Sequence, residues 1–224
     1  MPERTLKVRR LGRVGYAESL DLQKRIEQAV IAREEKDTLL LLEHPHTFTL
    51  GRRAKGAGVL ATAKVLENLG ATVFEINRGG KATYHGIGQI VGYPVINLSP
   101  DREDVHRYVR FLEEVLIRTL ADYGIEAFRL DGLTGVHTKE GKAAAIGVHI
   151  KRWVTTHGFA LNVNTDLSFF DWIIACEGEP VASMDRLLGR ELDLKEVEDK
   201  IIKNFQDVFG YAQIEELETI AQTA

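Results

Sequence analysis

The stretch RGGKATYHGIGQIVGYPVINL, from Arg78 to Leu98, contains five glycines together with an arginine, a lysine and a histidine. Glycine loses more backbone entropy on folding than any other residue, so such a cluster needs a physical reason. Two reasons are open: turns that the fold requires, or backbone that approaches a ligand closely. The stretch lacks the phosphate-binding pattern GxxxxGK[ST] and the dinucleotide pattern GxGxxG. Its second half, IVGYPVINL, predicts a strand, which Pro94 places at a sheet edge or at a bulge.

Strands and helices are both predicted on either side of this stretch. Strands are predicted in TLLLLEHP, HTFTLGRR and ATVFEINR before it and between Glu126 and Val163 after it. Helices are predicted from Ala17 to Glu34, in VLATAKVLENLG up to Gly70, from Ser99 and Pro100 to Gly124, and after the capping residue Asp193. This order predicts an α/β (α+β) fold, with a mixed β-sheet domain flanked by helices and a small C-terminal helical piece.

The composition excludes several classes of protein. The 224 residues are 44% hydrophobic and 28% charged, with a net charge of −4, which argues against a strongly basic nucleic-acid binder. The apolar runs are shorter than the ~20 residues that span a bilayer, and the N-terminal segment lacks the apolar core of a secretory signal. A single cysteine cannot form an internal disulfide or a multi-cysteine metal site. We therefore expect a cytoplasmic protein that binds neither membrane nor nucleic acid.

Three further positions carry chemically useful side chains. Cys176 ends the apolar run WIIA and precedes a polar turn, where a thiol is either a small buried residue or an exposed nucleophile. Lys142 precedes the apolar run AAAIGV and is either a solvated rim residue or an acid–base group with a lowered pKa. His157 precedes another apolar strand, and a structural hydrogen bond and a ligand contact are equally good interpretations. The remaining histidines show no metal-ligand spacing, so we expect no metal.

Taken together, the segments EHPHTFTLGRR, RGGKATYHGIGQ, GKAAAIGVHIKRWVTTHGFALNVNTDLSFF and ACEGEP resemble the lipoyl(octanoyl) transferases of lipoate biosynthesis. The resemblance extends from LGRVGYAESLDLQ to the cysteine region. It implies the fold of the biotin and lipoate protein ligases. It also implies a single octanoyltransferase domain over residues 1–224, with a catalytic core at about 5–190 and a C-terminal helical extension at about 191–224.

The resemblance also implies the reaction, its partners and its residues. The family transfers an octanoyl group from octanoyl-acyl carrier protein to a lysine of lipoyl domains, in the E2 subunits of 2-oxoacid dehydrogenases and in the glycine-cleavage H protein. It needs no cofactor, its nucleophile falls on Cys176, and its catalytic lysine falls on Lys142. Its substrate-binding segments fall on Arg78, Gly79, Gly80, Lys81, Ala82, Thr83, Tyr84 and His85, on Ala145, Ile146 and Gly147, and on Gly158, Phe159 and Ala160.

The chain departs from the family pattern at three places. Ala175 and Glu177 stand where the family has proline and glycine around the cysteine, Ile87 stands where it often has proline, and GVHT stands where an aromatic residue commonly precedes the lysine segment. Two alternatives remain open: an ATP-dependent lipoate or biotin protein ligase, and a non-catalytic acyl-binding protein. The ligase would require free octanoate and ATP, and the acyl-binding protein would tolerate loss of Cys176.

Overall fold

The structure is a computed structural model that describes residues 4–54, 58–174 and 180–217. Its strands are β1 (Thr5–Arg13), β2 (Thr38–Glu43), β3 (Thr47–Leu50), β4 (Thr72–Glu75), β5 (Ala82–His85), β6 (Gln89–Val95), β7 (Val136–Thr138), β8 (Gly141–Lys151), β9 (Val154–Asn162) and β10 (Gln213–Leu217). Its helices are α1 (Tyr16–Ala32), α2 (Ala63–Asn68), α3 (Val105–Ala121), α4 (Met184–Leu188) and α5 (Leu194–Phe209), with a 3₁₀ helix at Leu167–Trp172.

These strands form two sheets. In the described residues the larger sheet has seven strands in the order β10-β1-β2-β6-β9-β8-β7, and the smaller has three in the order β4-β3-β5. The larger sheet is mixed, because β1 pairs in parallel with both β10 and β2, whereas the pairs from β2 to β7 are antiparallel. The predicted α+β class is therefore confirmed.

The core lies on both faces of the larger sheet. The run of leucines in β2 alternates between the faces, as side chains of a strand must. Leu39 and Leu41 pack in the cluster that contains α3 and α5, whereas Leu40 and Leu42 pack with Ile26 of α1. Because Leu39 to Leu42 are buried on both faces, the sequence shows a continuous apolar run rather than an alternating pattern.

The C-terminal segment contributes more than the helical piece that the sequence predicts. Asp193 is confirmed as the N-cap of α5, where its side chain accepts a hydrogen bond from the Lys195 N–H at 2.8 Å. α5 buries Ile201 and Phe205 in the same cluster as α3, and β10 then pairs with β1 at the edge of the larger sheet. The chain after Asp193 thus shares the core and the sheet of the preceding residues.

Two local predictions are wrong. α3 does not begin at Ser99 and Pro100, because the Ser99 N–H bonds to the Asn97 side chain in a turn. Asp104 is the N-cap instead, and its carboxylate accepts a hydrogen bond from the Arg107 N–H.

Pro94 does not lie in an edge strand, since β6 is central between β2 and β9. The continuous pairing of β6 with β9 covers only Gln89 to Gly92 and resumes in an isolated bridge at Asn97. Pro94 needs no partner for an N–H that it lacks. The N–H of His157, which lies across from it, donates to the Gln23 side chain of α1 at 2.8 Å. A central strand therefore accommodates proline where the ladder is interrupted.

Within the described ranges, no helix has the length and apolar character needed to cross a bilayer.

Candidate functional site

A cavity of about 930 Å³, counted to its open mouth, lies between the two sheets. The larger sheet contributes side chains of β6, β8 and β9, and the smaller sheet contributes β5 and the loop before it. The cavity lies on the α1 face, because its lining residues Tyr93 and Ala160 belong to the cluster that also contains Ile26 and Val30 of α1.

Most of the residues that the sequence predicts for the site line this cavity. They are Arg78, Gly80, Lys81, Ala82, Thr83, His85, Lys142, Ala145, Ile146, Gly147, Gly158, Phe159 and Ala160. His157, which the sequence left open, also lies in the wall. Residues from three separate sequence segments therefore meet at one place, as a binding site requires.

Gly79 and Tyr84 are outside the cavity lining. Thr83 and His85 face the cavity from β5, so Tyr84 between them points to the other side of the smaller sheet. There it is fully buried, stacks on Phe169, and its hydroxyl lies 2.7 Å from His46 Nδ1. The Gly79 N–H donates to the Val148 carbonyl at 3.2 Å, which attaches the Arg78 loop to β8.

Lys142 lies near the start of β8, with its backbone held by the segment that follows residues 175–179. Its N–H donates to the Pro180 carbonyl at 2.8 Å, and its carbonyl accepts the Ala182 N–H at 3.0 Å. Cys176, the predicted nucleophile, lies outside the described residues. Ile173 and Val181, each within two residues of one end of the segment 175–179, both line the cavity with Lys142.

The glycines of the cavity wall serve mainly to bring backbone segments together. A Cβ on Gly158 would overlap the Gly92 carbonyl oxygen and would lie 2.6 Å from Pro94 Cδ. A Cβ on Gly147 would lie 3.0 Å from Arg78 Cδ and 3.1 Å from the Gly79 carbonyl oxygen. Gly80 has a φ of +92°, which side-chain-bearing residues rarely adopt. The turn interpretation of the glycine-rich stretch is thus supported directly.

Arg78 fixes the loop over the cavity. Its side chain is buried, and Nη2 donates to the Thr49 hydroxyl at 2.8 Å and to the Thr49 carbonyl at 3.1 Å. Nη1 donates to the Gly79 carbonyl at 2.8 Å. The guanidinium thereby joins β3 to the loop before β5, and it places a positive charge in the cavity wall.

Three buried histidines, His44, His85 and His157, are neutral at pH 7. Burial lowers the pKa of His44 to about 4. Burial, with the nearby Arg78 charge, likewise lowers the pKa of His157 to about 4. Burial, followed by the neighbouring His44, lowers the pKa of His85 well below its usual value. These side chains therefore act as hydrogen-bonding groups rather than as cations.

The hydrogen bonds of His85 determine its tautomer. The Gln89 amide N–H₂ donates to the Tyr84 carbonyl at 3.2 Å and to Asn162 Oδ1 at 2.9 Å, so Gln89 Oε1 is the acceptor toward His85. His85 Nδ1–H therefore donates to it at 2.9 Å, which leaves Nε2 as an acceptor. Asn162 continues the network by donating to the Ala182 carbonyl at 3.0 Å. The network connects β5, β6 and β9 to the segment that holds the Lys142 backbone.

The sequence analysis missed several residues of the cavity wall. They are Tyr16, Gln89, Tyr93, Thr134, Asn162, Phe170, Ile173 and Val181. Asn162 could have been found from the strand period, since Gly158, Ala160 and Asn162 alternate along β9. Tyr16 and Thr134 carry no such signal, because they come from parts of the chain that only folding brings to the cavity. Across the described segments, no group of three or more His, Cys, Asp or Glu side chains is arranged to hold a metal ion.

Comparisons with known proteins agree with this geometry. The family profile described as the lipoyl protein ligase A/B catalytic domain matches residues 15–206. The octanoyltransferase of Solibacter usitatus is 48% identical over 208 residues, covering 92% of this chain and 94% of the relative. The octanoyltransferase of Rubrobacter xylanophilus is 50% identical over 210 residues, with the same two coverages.

A solved structure shares the fold at low identity. It is the bi-partite lipoate protein ligase of Thermoplasma acidophilum, which was studied with its E2 lipoyl domain. It superposes with a TM-score of 0.73 and 19% identity, covering 99% of this chain and 88% of that one. At this identity the likeness supports the fold alone, whereas the relatives at 48% and 50% identity share nearly their whole length with this chain. The chain therefore belongs to the lipoyl protein ligase A/B catalytic domain family, among the octanoyltransferases.

Proposed function

We propose that this octanoyltransferase moves an octanoyl group from acyl carrier protein to a lysine of lipoyl domains, through a thioester on Cys176. The observation that carries the proposal is the position of Lys142. It lies in a largely apolar cavity wall together with Ile173 and Val181, which lie within two residues of the two ends of the segment 175–179 that contains Cys176. The neighbour from Thermoplasma acidophilum, studied with an E2 lipoyl domain, supports lipoyl domains as acceptors.

The chemistry needs a thiolate and one group that can give and take a proton. The Cys176 thiolate attacks the carbonyl carbon of the donor, the new C–S bond forms, and the carrier thiolate leaves with a proton from Lys142. In the second step, the acceptor amine attacks the acyl-cysteine, and Lys142 accepts the proton that the amine loses. The Cys176 thiolate is then released. The donor is already an activated thioester, so this sequence needs neither ATP nor a cofactor.

The cavity supports a medium-length acyl chain as the group transferred. Burying each methylene contributes about 0.8 kcal/mol, which corresponds to about fourfold preference per carbon until the cavity is full. The loop at Arg78 and Gly79 crosses β8 at Val148 and bounds the cavity on the side of Gly147. A boundary of this kind is what discriminates against longer chains.

Basic residues beside the cavity are proposed to receive the acidic carrier protein. The Arg52 N–H donates to the Arg78 carbonyl, and the Arg53 N–H donates to the Gly80 carbonyl, both at 3.1 Å. Both arginines are exposed, and so are Lys151 at the end of β8 and Arg152 in the turn that follows it. Lys55, which follows Arg52 and Arg53 closely in the sequence, is a further candidate for this surface and lies outside the described residues.

One experiment tests the proposal. The enzyme is mixed with octanoyl-acyl carrier protein in the absence of an acceptor, and the intact protein and its peptides are analysed by mass spectrometry. We expect an octanoyl adduct on Cys176 that hydroxylamine removes and that Cys176→Ala abolishes. An adduct elsewhere, or transfer that proceeds in Cys176→Ala, would exclude the thioester route. Acylation of the acceptor from free octanoate and ATP would identify a ligase instead.

A further inference from the structure

Lys142 and Ala145 both line the cavity although they are three residues apart in one strand. In a regular strand, residues an odd number of positions apart point to opposite faces. Ala143 and Ala144, which lie between them, are both buried in the cluster that contains α3 and α5. The alternation of side chains is therefore broken between Lys142 and Ala145.

A β-bulge explains the break. Val136 of β7 pairs with Ala144, whereas the next residue, His137, pairs with Lys142, so Ala143 is an extra residue in β8. A bulge leaves one residue unpaired and changes the direction of the side chains beyond it. Without this extra residue, the Lys142 side chain would point to the opposite face of the sheet, which packs against α3 and α5. The bulge thus brings the Lys142 side chain to the cavity.

Gly135 contacts both sides of this bulge. It directly precedes β7 and has a φ of +130°. A Cβ on Gly135 would lie 2.6 Å from the Ala144 carbonyl oxygen and 3.3 Å from Lys142 Cε. Only glycine fits this place without displacing the strand or the lysine side chain. The position of Lys142 therefore depends on where the backbone of Gly135 is held.

A buried carboxylate on α3 holds Gly135. Glu113 is only 1% exposed, and its Oε1 accepts a hydrogen bond from the Gly135 N–H at 3.2 Å. Its Oε2 accepts hydrogen bonds from Arg110 Nη1 at 2.8 Å and from Arg129 Nε at 3.1 Å, which compensate the buried charge. The carboxylate thereby attaches α3 to the first residue before β7.

We infer that Glu113 is a positioning residue, which holds the bulge through Gly135 and so keeps the Lys142 amine in the cavity. The inference rests on the proposed function for the catalytic role of Lys142. The position of Lys142 in the cavity does not depend on that function. Glu113 contacts neither the cavity nor, in the proposed mechanism, the substrate. Its effect on the position of Lys142 passes through the backbone at Gly135.

The test compares Glu113→Gln with Glu114→Gln. Glu114 is the adjacent residue of the same helix and binds Arg129 at 2.7 Å and Arg118 at 2.9 Å at the surface. Each change removes one carboxylate that contacts Arg129, and only the first alters the partner of Gly135. The position of Lys142 is read from the NMR signal of its ¹³C-dimethylated amine, assigned by its loss in Lys142→Arg. We expect this signal to move in Glu113→Gln and to stay in Glu114→Gln.

A second pair of variants avoids dependence on the folding of Glu113→Gln. Gly135→Ala is expected to move the Lys142 signal for the steric reason above. Its control, Gly132→Ala, lies in the same loop at a φ of +79° with open space around the added Cβ. An unchanged Lys142 signal in the folded Gly135→Ala or Glu113→Gln protein would overturn the inference.

The pH profile of iodoacetamide alkylation at Cys176 separates this inference from the proposed function. We expect the Glu113→Gln profile to move toward that of Lys142→Ala, and the Glu114→Gln profile to match the parent. If Lys142→Ala itself leaves the profile unchanged, the proposed pairing of Lys142 with Cys176 is wrong, and the NMR signal still decides whether Glu113 positions Lys142. A shifted Lys142→Ala profile with a parent-like Glu113→Gln profile would overturn the positioning role.

Discussion

At the scale of single residues, one side chain combines the requirements of the proposed reaction. Lys142 lines the cavity, and its backbone bonds to Pro180 and Ala182, directly after the segment that contains the proposed nucleophile. A nearby ammonium group stabilises a thiolate and lowers the pKa of a cysteine. His157 in the same wall lacks that charge at pH 7, because burial lowers its pKa to about 4.

Replacing Lys142 by alanine should therefore alter the pH dependence of the reaction. The pKa of Cys176 should rise toward the unperturbed value of about 8.5, so formation of the acyl-enzyme should slow at pH 7 and partly recover as the pH rises. The second step should recover less, because the acceptor amine lacks its proton acceptor. Rapid-quench measurement of each step from pH 6 to pH 9 checks this expectation. Weaker substrate binding with an unchanged pH profile would show that Lys142 is a substrate contact only.

At the scale of secondary-structure elements, close packing of β6 on β9 shapes the cavity wall. Gly158 faces the Gly92 carbonyl, and Pro94 lies beside it. One residue before Gly158 on β9, the His157 N–H leaves the ladder and donates to the Gln23 side chain of α1, while the Pro94 carbonyl accepts the Thr155 hydroxyl. The strands therefore approach closely at a place where the ladder is interrupted, and glycine is required on β9.

Gly158→Ala should therefore destabilise the fold by about 1–3 kcal/mol, the usual cost of overpacking. The added Cβ meets backbone and a proline ring, neither of which can move aside like a flexible side chain. Gly79→Ala is the control, because a Cβ there would make only an ordinary contact, 3.7 Å from the Val148 carbonyl oxygen. Urea unfolding of both variants checks the difference. Equal stability of Gly158→Ala and the parent would contradict the close approach of β6 and β9.

At the scale of the whole molecule, the buried neutral histidines couple stability to pH. Histidine in the unfolded chain has a pKa of about 6.5, whereas His44 and His157 have pKa values of about 4 in the fold. Between these values the unfolded state binds more protons, so the free energy of unfolding falls as the pH falls from about 6.5 to about 4. The fold is therefore expected to be most stable above this window.

By pH 5, each of these two histidines should have lowered the free energy of unfolding by about 2 kcal/mol, since one pKa unit corresponds to about 1.36 kcal/mol. His157→Asn should remove one such contribution, and asparagine tolerates the φ of +57° at this position. Urea unfolding at pH 7 and pH 5 measures how much the free energy of unfolding falls between these pH values. The fall should be about 2 kcal/mol smaller in this variant than in the parent. The control, His106→Asn, changes an exposed histidine on α3. Identical losses in all three proteins would contradict the prediction.

Charge on the outer surface should decide the encounter with the carrier protein. Changing Arg52 and Arg53 together to Glu should raise the KM for octanoyl-acyl carrier protein by about tenfold at low salt and flatten its salt dependence. The control reverses Lys195 and Lys203, two exposed residues of α5, which packs on the opposite face of the larger sheet from the cavity. Steady-state kinetics at several salt concentrations compares the KM values of the two double variants. An equal effect of both double variants would dismiss a local docking surface.

The sequence by itself determined the α+β class, most element positions, the family, and most residues of the cavity wall. It could do so because periodicity records which face of an element is buried, and because the motifs are contiguous segments. Thr83 and His85, for example, lie in one short motif and on one face of β5.

The tertiary structure alone decided the remaining features. Gly92 and Gly158 meet across β6 and β9, and β10 pairs with β1 as the edge strand of the larger sheet. The extra residue Ala143 directs the Lys142 side chain toward the cavity. Each depends on the pairing of residues far apart in the chain. No local pattern reveals that an extra residue in β8 opposes the start of β7, or that Glu113 holds the glycine at that point. The energy that selects these pairings arises from contacts that exist only after the chain has folded.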